Sequence, residues 1–226
     1  MPQTHEIFYR RGFDVVNFDS LGLHKTLQEI LEGRLKTGFS LSQKYSSTVD
    51  LRPNVIDYSE DFLGALKKNN IKGELRSLTL KDLTLYHVQV RVAESTTSYM
   101  DWHRDSYFDH DRQIGMAPPG LKIIYYPTFV KEQEPRLLVS EGSHRTMIDN
   151  HVEDLKLIRV LPTRQIIANN DQALIFDTSL LHSVVPDKPN QPSIRLIYSF
   201  VAKEQLPQND PDDLHRITSK RYEEMF

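Results

Sequence analysis

Residues 99–106 read "YMDWHRDS" and set His103 and Asp105 two apart. In extended chain the side chains at i and i+2 point the same way, so an imidazole nitrogen and a carboxylate oxygen can reach one ion. His182, in "FDTSLLHSVVP", offers a third ligand. Two histidines and one carboxylate on one side of a metal, with the opposite positions open, is the donor set of non-haem iron(II) oxygenases. The open positions admit a bidentate co-substrate and dioxygen. The His-x-Asp spacing alone is weak: nine histidines include a rival, His151-Val-Glu153, and a polar pair at a strand end looks the same. Arg195 adds weight. It sits inside the apolar run "SIRLIYSF", beyond the turn "DKPNQP" that follows His182. A guanidinium there needs an anionic partner. A dicarboxylate would supply one with the two-pronged geometry that suits arginine; a surface carboxylate such as Asp187 is the alternative.

These residues need elements to hold them. Asp19 and Ser20 can cap a helix running to about Lys36, with Leu27, Ile30, Leu31 and Leu35 on one face. Ser59 can cap a second, with Phe62, Leu63 and Leu66 packing inward and Asn69-Asn70 ending it. From there the pattern changes to a period of two. In "LYHVQVRV", Tyr86, Val88, Val90 and Val92 face one way, and His87, Gln89 and Arg91 the other. "LKIIYYPTF" (121–129), "RLLVS" (136–140), "IRVLP" (158–162), "ALIFD" (173–177), "HSVVP" (182–186) and "IRLIYSFVA" (194–202) read as further short strands. Turn material such as "APPG", "SEGS", "ANND" and "DKPNQP" separates them. Many short strands without intervening amphipathic helices predict an antiparallel barrel or two-sheet jelly roll. The charged tail from Lys203 carries a candidate helix, "DDLHRITSKRYEEM".

Bulk properties set the bounds. A chain of 226 residues with 38% hydrophobic residues suits one sizeable core. A net charge of −3 argues against a general nucleic-acid binder. With no cysteine there is neither a disulfide nor a thiolate metal site, so any metal must take nitrogen and oxygen ligands. No apolar run approaches a membrane span and the start "MPQTHEIFYRRGFD" has no secretory h-region, so the expectation is a cytoplasmic protein with no membrane partner. Nothing in the sequence fixes an oligomeric state.

"WHRD" (102–105), "SEGSHRT" (140–146), "NDQALIFDTSLLHSVVPDKP" (170–189) and "SIRLIYSF" (193–200), with "FYRRGFDVV" near the start, resemble the phytanoyl-CoA dioxygenase-like branch of the iron(II)/2-oxoglutarate oxygenases. The likeness spans most of the chain and is densest from about 99 to 201. It implies a mainly β fold, a double-stranded β-helix (jelly-roll) core over about 84–202. A helical or irregular N-terminal part, about 1–83, would flank it, followed by a tail from 203 to 226, all in one domain. It implies that His103, Asp105 and His182 ligate Fe(II) and that Arg195 binds the distal carboxylate of 2-oxoglutarate. Dioxygen would be the second co-substrate, succinate and CO2 the co-products, and a C–H bond of a small or medium metabolite the target. A carboxylate at Asp105 favours hydroxylation or desaturation over halogenation, which in related enzymes uses a small residue there. The chain departs from the family at Asn170, at Glu141, and at Ile197, where a small hydroxyl residue usually helps to hold the co-substrate.

Lesser candidates surround this set. Gln89, on the polar face of its strand, and Tyr125, Tyr126 or Thr128 offer contacts for the co-substrate. Ser143 and His144 read as structural, and Trp102 as a wall. Tyr107, Phe108, His110 and Arg112 lie in a long loop of the kind that often binds substrate. Two other readings remain at this point: a metal-binding jelly-roll module without turnover, and a nucleic-acid-modifying oxygenase, against which the negative charge speaks.

Overall fold

A computed structural model of the chain describes residues 2–20, 22–32, 49–53, 59–93, 100–106, 120–127, 136–146, 151–168, 171–185 and 193–205. The helices α1 (Pro2–Arg11), α2 (Leu23–Leu31), α3 (Asp61–Lys68) and α4 (Ile71–Thr79) come early, and α5 (His151–Val160) later. The described residues also form ten strands: β1 (Phe13–Asn17), β2 (Val49–Pro53), β3 (Leu83–Ala93), β4 (Met100–His103), β5 (Gly120–Tyr125), β6 (Arg136–Ser140), β7 (Thr163–Ile166), β8 (Gln172–Asp177), β9 (His182–Val185) and β10 (Ser193–Ala202). They form a six-stranded sheet, β1-β8-β5-β10-β3-β2, and a four-stranded sheet, β4-β9-β6-β7. Every pairing is antiparallel. This is the two-sheet jelly roll that the strand pattern predicts.

The period of two gives the large sheet two different faces. Val88, Val90, Ile123, Tyr125, Leu196 and Tyr198 pack outward with Leu27, Ile30, Phe62, Leu66, Ile71 and Leu78 of α2, α3 and α4. Burying such side chains fully contributes ~1.5–3 kcal/mol each. The opposite face meets the four-stranded sheet through Ile124, Leu174, Phe176 and Ile197 on one side and Leu137, Val139, Ile166 and Val184 on the other. Gly120 marks where β5 and β10 come closest: a Cβ there would lie 1.9 Å from the Phe200 carbonyl oxygen, so only glycine fits.

Several local expectations change. The helix expected to be capped by Asp19 or Ser20 is α2, which begins at Leu23, and the Ser20 carbonyl rather than a side chain accepts from the Leu23 N–H at 2.8 Å. Ser59 does accept from the Asp61 N–H, at 3.1 Å. Asn70, at φ +49°, turns the chain directly into α4, a helix the sequence pattern does not suggest. The N-terminal part is more than helical and irregular: β1 and β2 form both edges of the large sheet. "IRVLP" is not a strand; Ile158–Val160 close α5, and the strand that follows is β7, which pairs with β6 at the edge of the small sheet. The candidate C-terminal helix lies outside the described residues.

What fixes α5 is a buried ion pair. Arg104, between the two candidate ligands, donates from Nε and Nη2 to the two Asp154 oxygens at 2.8 and 2.7 Å. Its Nη1 donates to the carbonyls of Ser143, at 2.9 Å, and Ser179. All of these groups are buried, so each donor must be answered inside the protein. Removing one partner strands the other charge. Asp154→Ala is expected to lower the unfolding free energy by ~3–5 kcal/mol, read from urea denaturation. The double replacement Arg104→Met with Asp154→Leu should lose clearly less.

Candidate metal centre

β4 and β9 run side by side with His103 paired to His182. Directly opposed residues of an antiparallel pair put their side chains on one face, and the two rings lie 4.3 Å apart, centroid to centroid. One residue beyond the strand, the chain turns. The N–H groups of Asp105 and Ser106 donate to the Thr178 carbonyl at 2.9 and 3.0 Å, and Ser106 Oγ donates to Thr178 Oγ1 at 2.7 Å. That anchor returns the Asp105 carboxylate to the two imidazoles. Asp105 oxygens stand 3.8 Å from His103 Nε2 and 3.5 Å from His182 Nε2. One ligand atom from each of the three residues lies within 4.8 Å of the others. Among the described residues this is the one cluster of histidine and acidic side chains able to share an ion. The rival pair at 151 and 153 falls on α5, and Glu153 pairs with Lys156 at 2.6 Å.

Both imidazoles are held in one tautomer. His103 Nδ1–H donates to the Asp101 carbonyl at 2.6 Å, and His182 Nδ1–H to the Leu180 carbonyl at 2.8 Å. A carbonyl only accepts, so the proton sits on Nδ1 and the Nε2 lone pair faces the cluster. His103 Nε2 and Asp105 Oδ2 are buried with no hydrogen-bond partner among the described residues. Two lone-pair atoms, buried and converging without a donor, fit a bound divalent cation.

Electrostatics completes the preparation. Burial pushes both imidazoles below the usual range, His182 to about 3, so both are neutral near pH 7. Burial alone would raise the Asp105 carboxyl. The Lys122 ammonium, 2.9 Å from Oδ1, and the neighbouring His182 and His103 together outweigh it and hold the group well below the usual carboxylate range. All three are thus in the protonation states a metal needs.

The other candidates divide by strand parity. Arg195 pairs with Arg91, and Gln89 with Ile197, in the β10–β3 register. All four are on the inward face, where Arg195 and Gln89 are buried. Gln89 Oε1 accepts from Arg91 Nε at 3.1 Å. Arg91 and Arg195 are close enough to act electrostatically on Lys122. Tyr125 is a correction. It faces the helices instead, among the large apolar core, with its hydroxyl 2.5 Å from His24 Nε2 and its phenol pushed up to about 12 by burial. Tyr126, one residue on, packs inward. Thr128, Tyr107, Phe108, His110 and Arg112 lie outside the described residues.

Ser143 joins the two ligand strands. Its Oγ accepts from the Leu181 N–H at 2.8 Å, next to His182, and its carbonyl takes Arg104. His144 Nε2 donates to the Tyr9 carbonyl at 3.0 Å, tying in α1. Lys122 escaped the sequence reading. The signal was there: Leu121, Ile123 and Tyr125 form one face of "LKIIYY", leaving a single lysine with Ile124 on the other, as a single arginine stands in "SIRLIYSF".

His182 sets a pH dependence. Its neutral form is the folded form down to about 3, whereas in the unfolded chain it takes up a proton below 6.5. Below 6.5, therefore, the unfolded state binds more protons and stability falls with pH. With chelator present, this residue alone should contribute ~1.4 kcal/mol per pH unit. His182→Gln is expected to flatten the pH dependence of urea unfolding between pH 6.5 and 4 by about that slope; an unchanged slope would show that His182 is not buried neutral.

No protein-family model and no curated protein sequence matches the chain. Solved structures do match. One is EctD from S. alaskensis with bound Fe, with a TM-score of 0.72 and 13% identity, over 97% of this chain and 84% of that one. Another is HygX from Streptomyces hygroscopicus with nickel and 2-oxoglutarate bound, with a TM-score of 0.65 and 13% identity, over 90% and 87%. A third is SnoN, a non-heme alpha ketoglutarate dependent epimerase from nogalamycin biosynthesis, with a TM-score of 0.65 and 12% identity, over 98% and 94%. The chain is therefore built on the jelly-roll fold of these proteins.

Proposed function

We propose that the chain is an iron(II)- and 2-oxoglutarate-dependent oxygenase that hydroxylates a C–H bond of a small or medium metabolite. The observation that carries this reading is the buried meeting of His103, Asp105 and His182, each with a ligand atom aimed at one point. The order of "WHRD", "GSH", the segment to His182, and Arg195 further supports the phytanoyl-CoA dioxygenase-like branch. When bound, iron would activate dioxygen, which is the oxidant, while 2-oxoglutarate would supply two electrons and leave as succinate and CO2.

The chain's own residues bind, orient and exclude water. His103 and His182 present neutral Nε2 lone pairs that need no deprotonation. Arg195, buried on the inward face, would hold the distal carboxylate, for which its guanidinium is chemically suited. Ile197 supplies no hydroxyl two residues on, but Gln89 stands across from it on β3 and its amide can donate in that place. Phe176 packs edge-on to His182, ring centroids 4.9 Å apart, and shuts water from that side of the ring. The fold does not choose among reactions, since SnoN is an epimerase; the Asp105 carboxylate favours hydroxylation or desaturation over halogenation.

Anaerobic titration with Fe(II) and then 2-oxoglutarate tests the reading through the metal-to-ligand charge-transfer absorption of the chelated keto acid. The band is expected to form, and to vanish in His182→Ala. Arg195→Ala should weaken 2-oxoglutarate by about ten- to a hundredfold, the loss of a charge-assisted hydrogen-bond pair, and leave Fe(II) affinity within about twofold. No band with the unaltered protein would end the proposal. A band without succinate release on any substrate would leave a metal-binding module.

A further inference from the structure

Among the described residues Lys122 is the one buried lysine, with a relative exposure of 8%, and it lies against the candidate metal ligands. It lies on the inward face of β5, flanked in register by Phe176 of β8 and Ser199 of β10. Its ammonium meets Asp105 Oδ1 at 2.9 Å, whereas Oδ2 is buried with no hydrogen-bond partner among the described residues. The two oxygens of one carboxylate thus differ in their surroundings: Oδ1 is bound to a cation and lies 3.8 Å from His103 Nε2, whereas Oδ2 has no donor among the described residues and faces His182 Nε2 at 3.5 Å.

We propose that Lys122 is a positioning residue that restricts Asp105 to one-oxygen coordination and so keeps a metal position open for the co-substrate. The inference rests on the function proposed above. A carboxylate can hold a divalent cation through one oxygen or through both. Three protein atoms on an octahedral ion leave three positions, two for a chelating keto acid and one for dioxygen. A two-oxygen carboxylate would close one of them. A charge-assisted hydrogen bond from Lys122 occupies Oδ1 and prevents this. The arrangement is a poor one for metal affinity alone, because a lysine ammonium repels a nearby divalent cation and competes with it for the same carboxylate. That trade separates the proposal from a merely structural role: without the ammonium, the metal should hold as well or better while the co-substrate holds worse.

The test loads Co(II) into the wild-type chain, Lys122→Met and Lys122→Arg, each confirmed as folded by circular dichroism. The d–d absorption is recorded before 2-oxoglutarate is added, and both affinities are measured anaerobically. Lys122→Met is expected to bind Co(II) at least as tightly as wild type, with a changed d–d spectrum, and 2-oxoglutarate about tenfold or more weaker. Lys122→Arg, which keeps a cationic donor, should restore both readouts. An unchanged Co(II) spectrum in Lys122→Met with weaker 2-oxoglutarate would make Lys122 a direct co-substrate contact and overturn the inference, as would parallel loss of metal and co-substrate in a folded variant. Should Lys122→Met not fold, the infrared carboxylate splitting of the wild-type protein on Co(II) binding decides: one-oxygen coordination supports the role, two-oxygen coordination overturns it. Failure of the wild-type protein to bind Co(II) or 2-oxoglutarate would instead remove the function on which the inference stands.

Discussion

Between β4 and β9 one ladder pair sets His103 against His182, and each ring is pinned through Nδ1 to a carbonyl two residues earlier in its own chain. These two short-range bonds, on neighbouring strands, decide which nitrogen faces inward. If either ring turned over, an N–H would meet the other ligands and the cluster would become a set of ordinary hydrogen bonds. The backbone thus does what a side-chain orienting group often does at metal sites. Because the acceptors are main-chain atoms of the ligand segments, the orientation comes with the strands themselves.

Around that pair, polar ties are arranged in a chain. Arg104 reaches Asp154 on α5 and the carbonyls of Ser143 and Ser179. Ser143 reaches Leu181, beside His182. Thr178 anchors Asp105 and Ser106 through its carbonyl, and through its hydroxyl receives the Gly120 N–H at 2.8 Å. Both ligand segments, the turn at 142–146 and the start of β5 are therefore fastened to one another by buried hydrogen bonds. Each bond adds little net stability, but leaving any donor unanswered is expensive. Such a network therefore specifies one arrangement more than it strengthens it.

Strand periodicity made much of this legible. His103 and Asp105 could be paired on paper because extended chain repeats every two residues, and Arg195 drew attention because a guanidinium inside an apolar strand needs a reason. Lys122 deserved the same question, and Tyr125 needed the same parity check: it shares a face with Leu121 and Ile123, so it could not look into the barrel. Elsewhere the deciding contacts are far apart in the chain. β1 is a strand because Phe13–Asn17 completes an edge against β8. α5 is a helix, despite apolar residues that suit a strand, because Asp154 must reach Arg104. α4 follows α3 through a left-handed Asn70, and no local pattern announces that. That any shared ion must take nitrogen and oxygen ligands was readable from donor chemistry, because the chain has no cysteine.

The large sheet separates stability from chemistry without separating the residues in sequence. Along β3, β5 and β10, alternate positions go to the helices or to the barrel. Val88, Val90, Ile123, Leu196 and Tyr198 join the large apolar core; Gln89, Arg91, Lys122 and Arg195 line the inside. Burying cations and amides beside a metal centre opposes folding, and the apolar burial on the reverse of the same strands offsets it. The two demands are locked together by register. A slip of one residue in β10 would send Arg195 into the helix layer and Leu196 or Tyr198 into the barrel, costing the core and the site at once. The alternating strand that makes the inner face chemically useful is thus also the reason it cannot drift.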